Sequence, residues 1–211
     1  MKTTDILNLP NYDKEIRAYF HKKKLKHAHD NPKVLVVDEL GLLNGLNRVD
    51  IAVFNGVLHG YEIKGAKDNL LRMDVQLAAY KESLQKVTYI AAPNHIEELE
   101  RLLPSWCGLI EATQGKRGAV HFKSLRPAKF NPEIKAEKLA HLLWKSEAQD
   151  LLQQAGYSAK ATNHNRSELY KLIGSEFSVN SLFNHIKTKL MLRKNWRADL
   201  LLYRINLKMQ A

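Results

Sequence analysis

The sequence predicts an α/β domain with a mixed β-sheet flanked by helices, followed by an all-helical C-terminal extension. Short apolar runs typical of strands alternate with segments of helical periodicity over the first 125 residues. Beyond Pro127 and Pro132 only helical periodicity remains. We therefore expect a core over residues 1–125, a linker over 126–132 and a basic helical region over 133–211.

The predicted core begins with a helix over 13–20, in which Ile16 and Phe20 lie on one side. Its expected strands are 34–37, 49–54, 57–64, 88–92 and 109–112. Asn55-Gly56 favours a tight turn between the second and third of these strands. The segment before them, 40–47, is loop-like. Two further helices are expected over 69–85 and 95–103.

Beyond the linker, leucines at helical spacing predict one long helix that ends near Gly156. Its apolar stripe contains Leu139, Leu142, Leu143, Leu151 and Leu152. Shorter helices are expected over 167–173, 179–193 and 196–206. Residues 169–186 have the spacing of a helix-turn-helix, so this region either enters a DNA major groove or forms a bundle that packs on the core or on a second subunit.

The chain has 33 Lys and Arg against 22 Asp and Glu, which gives a formal net charge of +11. Such a surplus favours a polyanionic partner, because basic side chains displace the counterions of phosphates. No apolar run is long enough to span a bilayer, and no secretory signal is evident, so we expect a cytoplasmic protein without a membrane partner. A single cysteine, Cys107, excludes an internal disulfide framework and a Cys-rich zinc site.

Three charged residues, Asp50, Glu62 and Lys64, interrupt the second and third predicted strands. A charge in a half-buried strand needs a partner or a metal, because its desolvation is costly. A two-residue turn would pair Asp50 with Tyr61. A three-residue connection, or a bulge at Gly60, would pair Asp50 with Glu62, and it keeps the apolar residues on one face. We prefer this second register, in which one face builds core and the other presents the three charges.

Two carboxylates beside a lysine are typical of Mg²⁺-dependent phosphoryl chemistry, in which Mn²⁺ can substitute. The metal acidifies a water, and the lysine orients that water or steadies the phosphorus. The tripeptide Glu-Ile-Lys also occurs as Glu133-Ile134-Lys135, but there it has no strand and no partner aspartate. The alternative for Asp50, Glu62 and Lys64 is a structural ion pair.

These residues resemble the PD-(D/E)XK, or restriction-endonuclease-like, nucleases. The superfamily has an aspartate on one strand of a hairpin and acid-x-Lys on the next, matched here by Asp50 and Glu62-Ile63-Lys64. Gln76 and Tyr80 are similar to the Gln-x-x-x-Tyr motif of its RecB-like branches. The part of the sequence that carries these motifs looks like a small, poorly characterised bacterial family within the superfamily. The resemblance covers about residues 12–112, and it departs from the pattern where Val49, not proline, precedes Asp50.

The resemblance implies that Asp50 and Glu62 bind Mg²⁺ with Glu15 as a further ligand, while Lys64, Gln76 and Tyr80 act at the catalytic site. Glu15 is otherwise an ordinary glutamate of a first helical turn. Glu39 follows a buried strand and either reaches the same site in place of Glu15 or caps the Gly41 loop. Gln76 and Tyr80, with Arg72 one turn earlier, form a polar stripe whose alternative is a solvated face.

Basic residues outside this trio are predicted to contact nucleic acid: Lys22, Lys23, Lys24, Arg72, Lys187, Lys189, Arg193 and Lys194. For the first three the alternative is a solvated helix end. The expected function is a metal-dependent DNA endonuclease that hydrolyses phosphodiester bonds. Because one site cuts one strand, cleavage of a duplex predicts a homodimer. The alternatives are a non-catalytic nucleic-acid-binding module of the same fold and a protein-interaction role for the helical tail.

Overall fold

The structure is a computed structural model that describes residues 13–115 and 117–193. The predicted fold class is confirmed, because a six-stranded mixed sheet flanked by helices precedes a helical extension. In chain order the elements are α1 (Asp13–Lys23), α2 (Lys26–Asp30), β1 (Leu35–Leu42), β2 (Asn47–Asn55), β3 (Val57–Lys64), α3 (Met73–Ser83), β4 (Lys86–Ala91), α4 (Pro93–Leu102), β5 (Gly108–Gln114), β6 (Val120–Arg126), α5 (Ala136–Leu139), α6 (Lys145–Gln154), α7 (Arg166–Glu176) and α8 (Val179–Leu192). The helix predicted over 196–206 lies outside the described residues.

The strands lie in the sheet in the order in which they occur in the chain, from β1 to β6. β3, β4 and β5 are parallel neighbours, and the other pairs are antiparallel. The last strand, β6, was not predicted. Its sequence alternates buried Val120 with exposed His121 and Lys123, so it lacks the apolar run that marks a buried strand.

Both faces of the sheet are covered by helices, so the expectation of one core face and one charged face is wrong. On one face α1 packs through Ile16 and Phe20 against a cluster that includes Ile51 and Ile63. On the other face α3, α4 and the C-terminal helices bury a larger cluster that includes Leu58. The charges of β3 therefore lie inside the second layer, against α3.

The β2–β3 register is the one preferred from the sequence. Ile51 lies opposite Tyr61 and Phe54 opposite Leu58, which places Asp50 level with Glu62 without a bulge at Gly60. On the other side of β2, the ladder pairs Asp38 with Ile51 and Leu40 with Val49.

Glu39 and Asp50 lie between those last two pairs, and Glu39 has a φ of +56°. At this point the alternation of side chains between the two faces of the sheet is interrupted in β1 and β2. Val36 and Ile51 belong to the cluster on the α1 side, whereas Leu40 and Val49, an even number of residues away, belong to the cluster on the other side. The interruption turns two carboxylates toward the end of the sheet.

The C-terminal helices pack on the sheet as an extension of its second layer. Phe183 of α8 stacks on Phe54 of β2, with ring centroids 6.1 Å apart. The predicted long helix is broken: α5 ends in a 3₁₀ turn, and α6 restarts after Trp144, whose backbone N–H donates to Glu147 at 2.8 Å. Gly156 follows α6 with a φ of +100°, as expected for a helix terminator. Among the helices of the described residues, none is long and apolar enough to cross a membrane.

Candidate active site

A polar cavity of about 820 Å³ opens at the end of the sheet where β3 stops. It is bordered by α1, by the turn between β1 and β2, by the loop 65–72 and by α3. Asp50, Glu62 and Lys64 all line it, as does Gln76. The structure therefore brings the charged trio predicted from the sequence to one accessible place.

The Glu62 carboxylate is buried and has a partner at each oxygen. Lys64 Nζ donates to Oε1 at 3.0 Å, and Gln76 Nε2 donates to the same oxygen at 2.9 Å. Lys64 Nζ also donates to Gln76 Oε1 at 2.9 Å, which closes a three-membered ring of contacts. Tyr80, a turn further along α3, places its hydroxyl 2.5 Å from Glu62 Oε2. The Gln-x-x-x-Tyr spacing thus delivers both polar groups to one carboxylate.

The Tyr80 hydroxyl also lies 2.8 Å from the backbone carbonyl oxygen of Arg48. One hydroxyl hydrogen cannot serve both acceptors, so when Tyr80 donates to the carbonyl, the proton between Tyr80 and Glu62 belongs to the carboxyl group. Burial, followed by the negative charge of Asp50, raises the pKa of Glu62 to about 7. Geometry and electrostatics agree that Glu62 binds a proton more readily than an ordinary glutamate, even with Lys64 Nζ at 3.0 Å.

Asp50 is the second carboxylate of the cavity. Its Oδ2 accepts from the backbone N–H of Ile63 at 2.6 Å, a contact across the hairpin that fixes the side chain. Its Oδ1 accepts from Arg17 of α1 at 2.9 Å. Arg17 also donates to Glu39 at 2.6 Å, and Arg48 donates to the other oxygen of Glu39 at 2.6 Å. Burial raises the pKa of Asp50, and the hydrogen bond from Ile63 and the charges of Arg17 and Lys64 only partly oppose this rise.

Comparison with known proteins decides the family of this chain. Residues 11–209 match the family described as Bacteriophage P4 protein cII. The chain belongs to this family. The cII-family chain is 30% identical over 155 residues to Protein cII of Enterobacteria phage P4, which covers 74% of the chain and 58% of the relative. The chain thus spans little more than half the length of that relative.

A solved structure of a protein of unknown function from Silicibacter pomeroyi is also similar to the cII-family chain. The two share 21% sequence identity, and the TM-score is 0.40. The match covers 67% of this chain and 92% of the other.

The cavity of this cII-family protein does not include every predicted site residue. The Glu15 side chain is exposed on α1 and does not line the cavity, whereas Asp13 and Arg17, two residues before and after it, do. A helix repeats every 3.6 residues, so a step of two points Glu15 away. Glu39, the alternative to Glu15, lies in the cavity lining.

The basic residues predicted to contact nucleic acid have different surroundings. Arg72 is exposed at the start of α3 and lines the cavity. Lys22, Lys23 and Lys24 are exposed at the end of α1, where Lys23 donates to the carbonyl of Val120 at 2.8 Å.

In the C-terminal extension, Lys187 is half-buried, and Lys189 is 3.4 Å from Asp150. Arg193 is not available to a phosphate: it is buried, stacks over Trp144 and pairs with Glu147. It ties α8 to α6 and corrects the predicted nucleic-acid surface. Lys194 lies outside the described residues.

Sequence reasoning missed the basic half of the cavity, chiefly Arg17 and Lys67. Arg17 lies two residues after Glu15, but nothing in the periodicity of α1 shows that it reaches Asp50, 33 positions away. Lys67 lies in the loop three residues after β3 ends, and its position after a strand that carries site residues was the available signal.

A Mg²⁺ ion fits this donor set only if water and phosphate supply most of its ligands. Within the part of the chain that the structure describes, no group of three or more His, Cys, Asp or Glu side chains is placed to hold a metal. Asp50 and Glu62 alone match an ion that binds through two carboxylates and takes its remaining ligands from water and phosphate. They do not match a zinc site, which requires three or four protein ligands.

Proposed function

We propose that this cII-family protein is a Mg²⁺-dependent DNA endonuclease of the PD-(D/E)XK type. One observation carries the proposal: the residues that the sequence motifs predict, Asp50, Glu62, Lys64, Gln76 and Tyr80, lie together in the structure. Glu62, Lys64, Gln76 and Tyr80 form one hydrogen-bond network. Asp50 is held separately by Ile63 and Arg17, and it lines the same cavity as Glu62, Lys64 and Gln76. Five residues on three elements meet by chance far less often than a single acid-x-Lys match.

In the proposed reaction the protein positions three groups. Lys64 spends two of its N–H donors on Glu62 and Gln76, which leaves a third for the attacking water or for an oxygen of the scissile phosphate. Asp50 and Glu62 would hold Mg²⁺, which supplies an acidified water and offsets charge on the phosphate oxygens. Tyr80 fixes the orientation of Glu62, and Arg17 does the same for Asp50.

The test is cleavage of supercoiled plasmid and of single-stranded DNA with Mg²⁺ or Mn²⁺. We expect Lys64→Ala and Glu62→Gln to reduce cleavage at least about 100-fold, because each removes a group that acts at the reacting phosphate. EDTA should abolish it. Lys135→Ala is the matched control, since Lys135 stands in the second Glu-Ile-Lys tripeptide of the chain, pairs with Glu82 and lies outside the cavity.

Equal loss in Lys64→Ala and Lys135→Ala would show general damage to the fold, whereas unchanged cleavage in both variants would show that it comes from a contaminant. Activity that survives in Lys64→Ala and in EDTA would overturn the proposal.

A second candidate is a non-catalytic nucleic-acid-binding module. It is favoured by the fact that all four oxygens of Asp50 and Glu62 already have protein partners, so their charges are compensated without a metal. Mg²⁺ should then leave the thermal midpoint unchanged, and DNA binding should weaken steeply with salt. A midpoint that rises with Mg²⁺ in the wild type but not in Asp50→Asn favours the nuclease.

A further inference from the structure

The mouth of the active-site cavity carries large apolar side chains in contact with water. Leu46 is 83% exposed, Leu71 is 87% exposed and Val75 is 64% exposed. Leu46 and Val75 line the cavity itself, and Leu71 directly precedes the cavity residue Arg72. Isolated exposed leucines are ordinary on protein surfaces, but a group at one opening marks a contact surface.

The three side chains come from two separate elements. Leu46 follows the turn between β1 and β2, in which Leu43, Asn44 and Gly45 all have positive φ. Val75 lies in the first turn of α3 and lines the same cavity, and Leu71 lies in the loop just before α3. A ligand in the cavity therefore meets apolar groups from both parts of the chain.

Cations share the cavity lining with these apolar groups. Lys67 and Arg72 are exposed, line the cavity and form no ion pair with any residue that the structure describes. Arg48, two positions after Leu46, keeps 68% of its side chain exposed while it binds Glu39. Alternating cations and apolar side chains match a strand that offers phosphates and bare base faces in turn. An apolar protein surface would leave Lys67 and Arg72 without partners.

A DNA duplex does not offer bare base faces. Its bases are stacked on one another, and an apolar side chain reaches them only by wedging a base step open, at a cost of a few kcal/mol. An unpaired strand offers the same faces without this cost.

We infer that the cavity takes a DNA strand whose bases are unpaired at the bound phosphate, with Leu46, Leu71 and Val75 against base faces and Lys67 and Arg72 on phosphates. This inference rests on the proposed function for the identity of the polymer, not for its cleavage.

The test is binding of the full chain, in EDTA, to a labelled 30-nucleotide DNA strand and to its duplex by fluorescence anisotropy. We expect the wild type to prefer the single strand. The double variant Leu46→Ser/Leu71→Ser should lose about tenfold in affinity for the single strand, equivalent to about 1.4 kcal/mol, and little for the duplex. Leu102→Ser, at a 47%-exposed leucine on α4 away from the cavity, should bind as the wild type does.

Lys67→Ala should reduce the slope of log affinity against log salt by about 0.7, the value for one phosphate of a single strand. A wild type that prefers the duplex, a double variant that binds the single strand normally, tighter binding to the same strand as RNA, or no binding to any nucleic acid would each overturn the inference. Because EDTA removes cleavage from the measurement, single-strand preference without cleavage of either the plasmid or the single-stranded DNA would refute the nuclease and leave the inference standing.

Discussion

Single residues in this protein show how the fold tolerates charge inside a sheet. Glu62 is buried within the second layer, where an isolated carboxylate would be strongly disfavoured. Lys64, Gln76 and Tyr80 supply its hydrogen bonds from one side chain on its own strand and two on α3. The network is satisfied as a unit, so each member restricts the conformations of the others.

The Glu39 backbone is a second such case. A φ of +56° is uncommon for a glutamate and costs of order 1 kcal/mol. The contacts of Glu39 with Arg17 and Arg48 offset that cost and keep the carboxylate at the cavity.

We expect His59 to make the folded protein less stable as the pH falls below 6.5. Burial, followed by the charge of Lys86, lowers the pKa of His59 from 6.5 to about 3. Below pH 6.5 the unfolded chain binds a proton at this position that the folded chain does not. The free energy of unfolding should therefore fall by up to about 1.4 kcal/mol per pH unit between pH 6.5 and pH 3 from this group alone. Urea titrations at several pH values measure the slope.

The matched variants for that measurement are His59→Asn and His27→Asn. The first should flatten the acid slope, whereas the second, at an exposed histidine of α2, should leave it as in the wild type. Identical slopes in all three proteins would show that His59 does not carry the effect.

At the scale of elements, the sequence was most informative about the β2–β3 hairpin. Apolar residues alternate around Asp50 and Glu62, and only one register of the hairpin keeps these apolar residues together. The pairing of β2 with β3 therefore follows from the pattern. Gln76 and Tyr80 are four residues apart, so helical spacing also places their side chains on one side of α3.

The remaining elements depend on contacts that no local pattern encodes. Arg17 reaches Asp50 across 33 positions, and α6 restarts at Trp144 because Glu147 and Arg193 bind there. β6 lies at the edge of the sheet, where a strand needs few apolar residues.

Gly174 in α7 shows how closely two helices of the extension approach. A Cβ at this position would lie 2.8 Å from Cβ and 3.0 Å from Cα of Glu137 in α5. Helix propensity alone favours alanine over glycine by about 1 kcal/mol. We expect Gly174→Ala to destabilise the protein instead, by about 1–3 kcal/mol, because the helix backbones must separate. Lys171→Ala, on the exposed side of α7, is the control for thermal unfolding, and a higher midpoint for Gly174→Ala would contradict the packing.

At the scale of the whole molecule, the helical extension and the sheet share one hydrophobic cluster. Asn131, in the predicted linker, is buried and donates to the carbonyl of Leu84 at 2.8 Å, and its backbone N–H donates to Gln85. The segment therefore fastens the extension to the core.

Phe183→Ala tests whether the two parts unfold together. The change removes the ring that stacks on Phe54 and should cost about 3–5 kcal/mol. We expect one cooperative transition, with circular dichroism and tryptophan fluorescence shifting to the same lower midpoint. Thr188→Ala, on the exposed side of α8, should leave the midpoint nearly unchanged. A split into two transitions, with only the helical signal lost early, would show that sheet and extension are independent.

The strand order has a consequence for the protein during its synthesis. All five strand pairings join strands that are consecutive in the chain, so a growing polypeptide can add each strand to an edge already formed. The polar network needs only residues 17–80, and it can assemble while the second half is still being made. The last helices cover the apolar face that includes Phe54, which stays exposed to water until they are made. In a nascent chain of this protein the polar site can therefore form before the helices that cover the apolar face, and so before the chain is protected against aggregation.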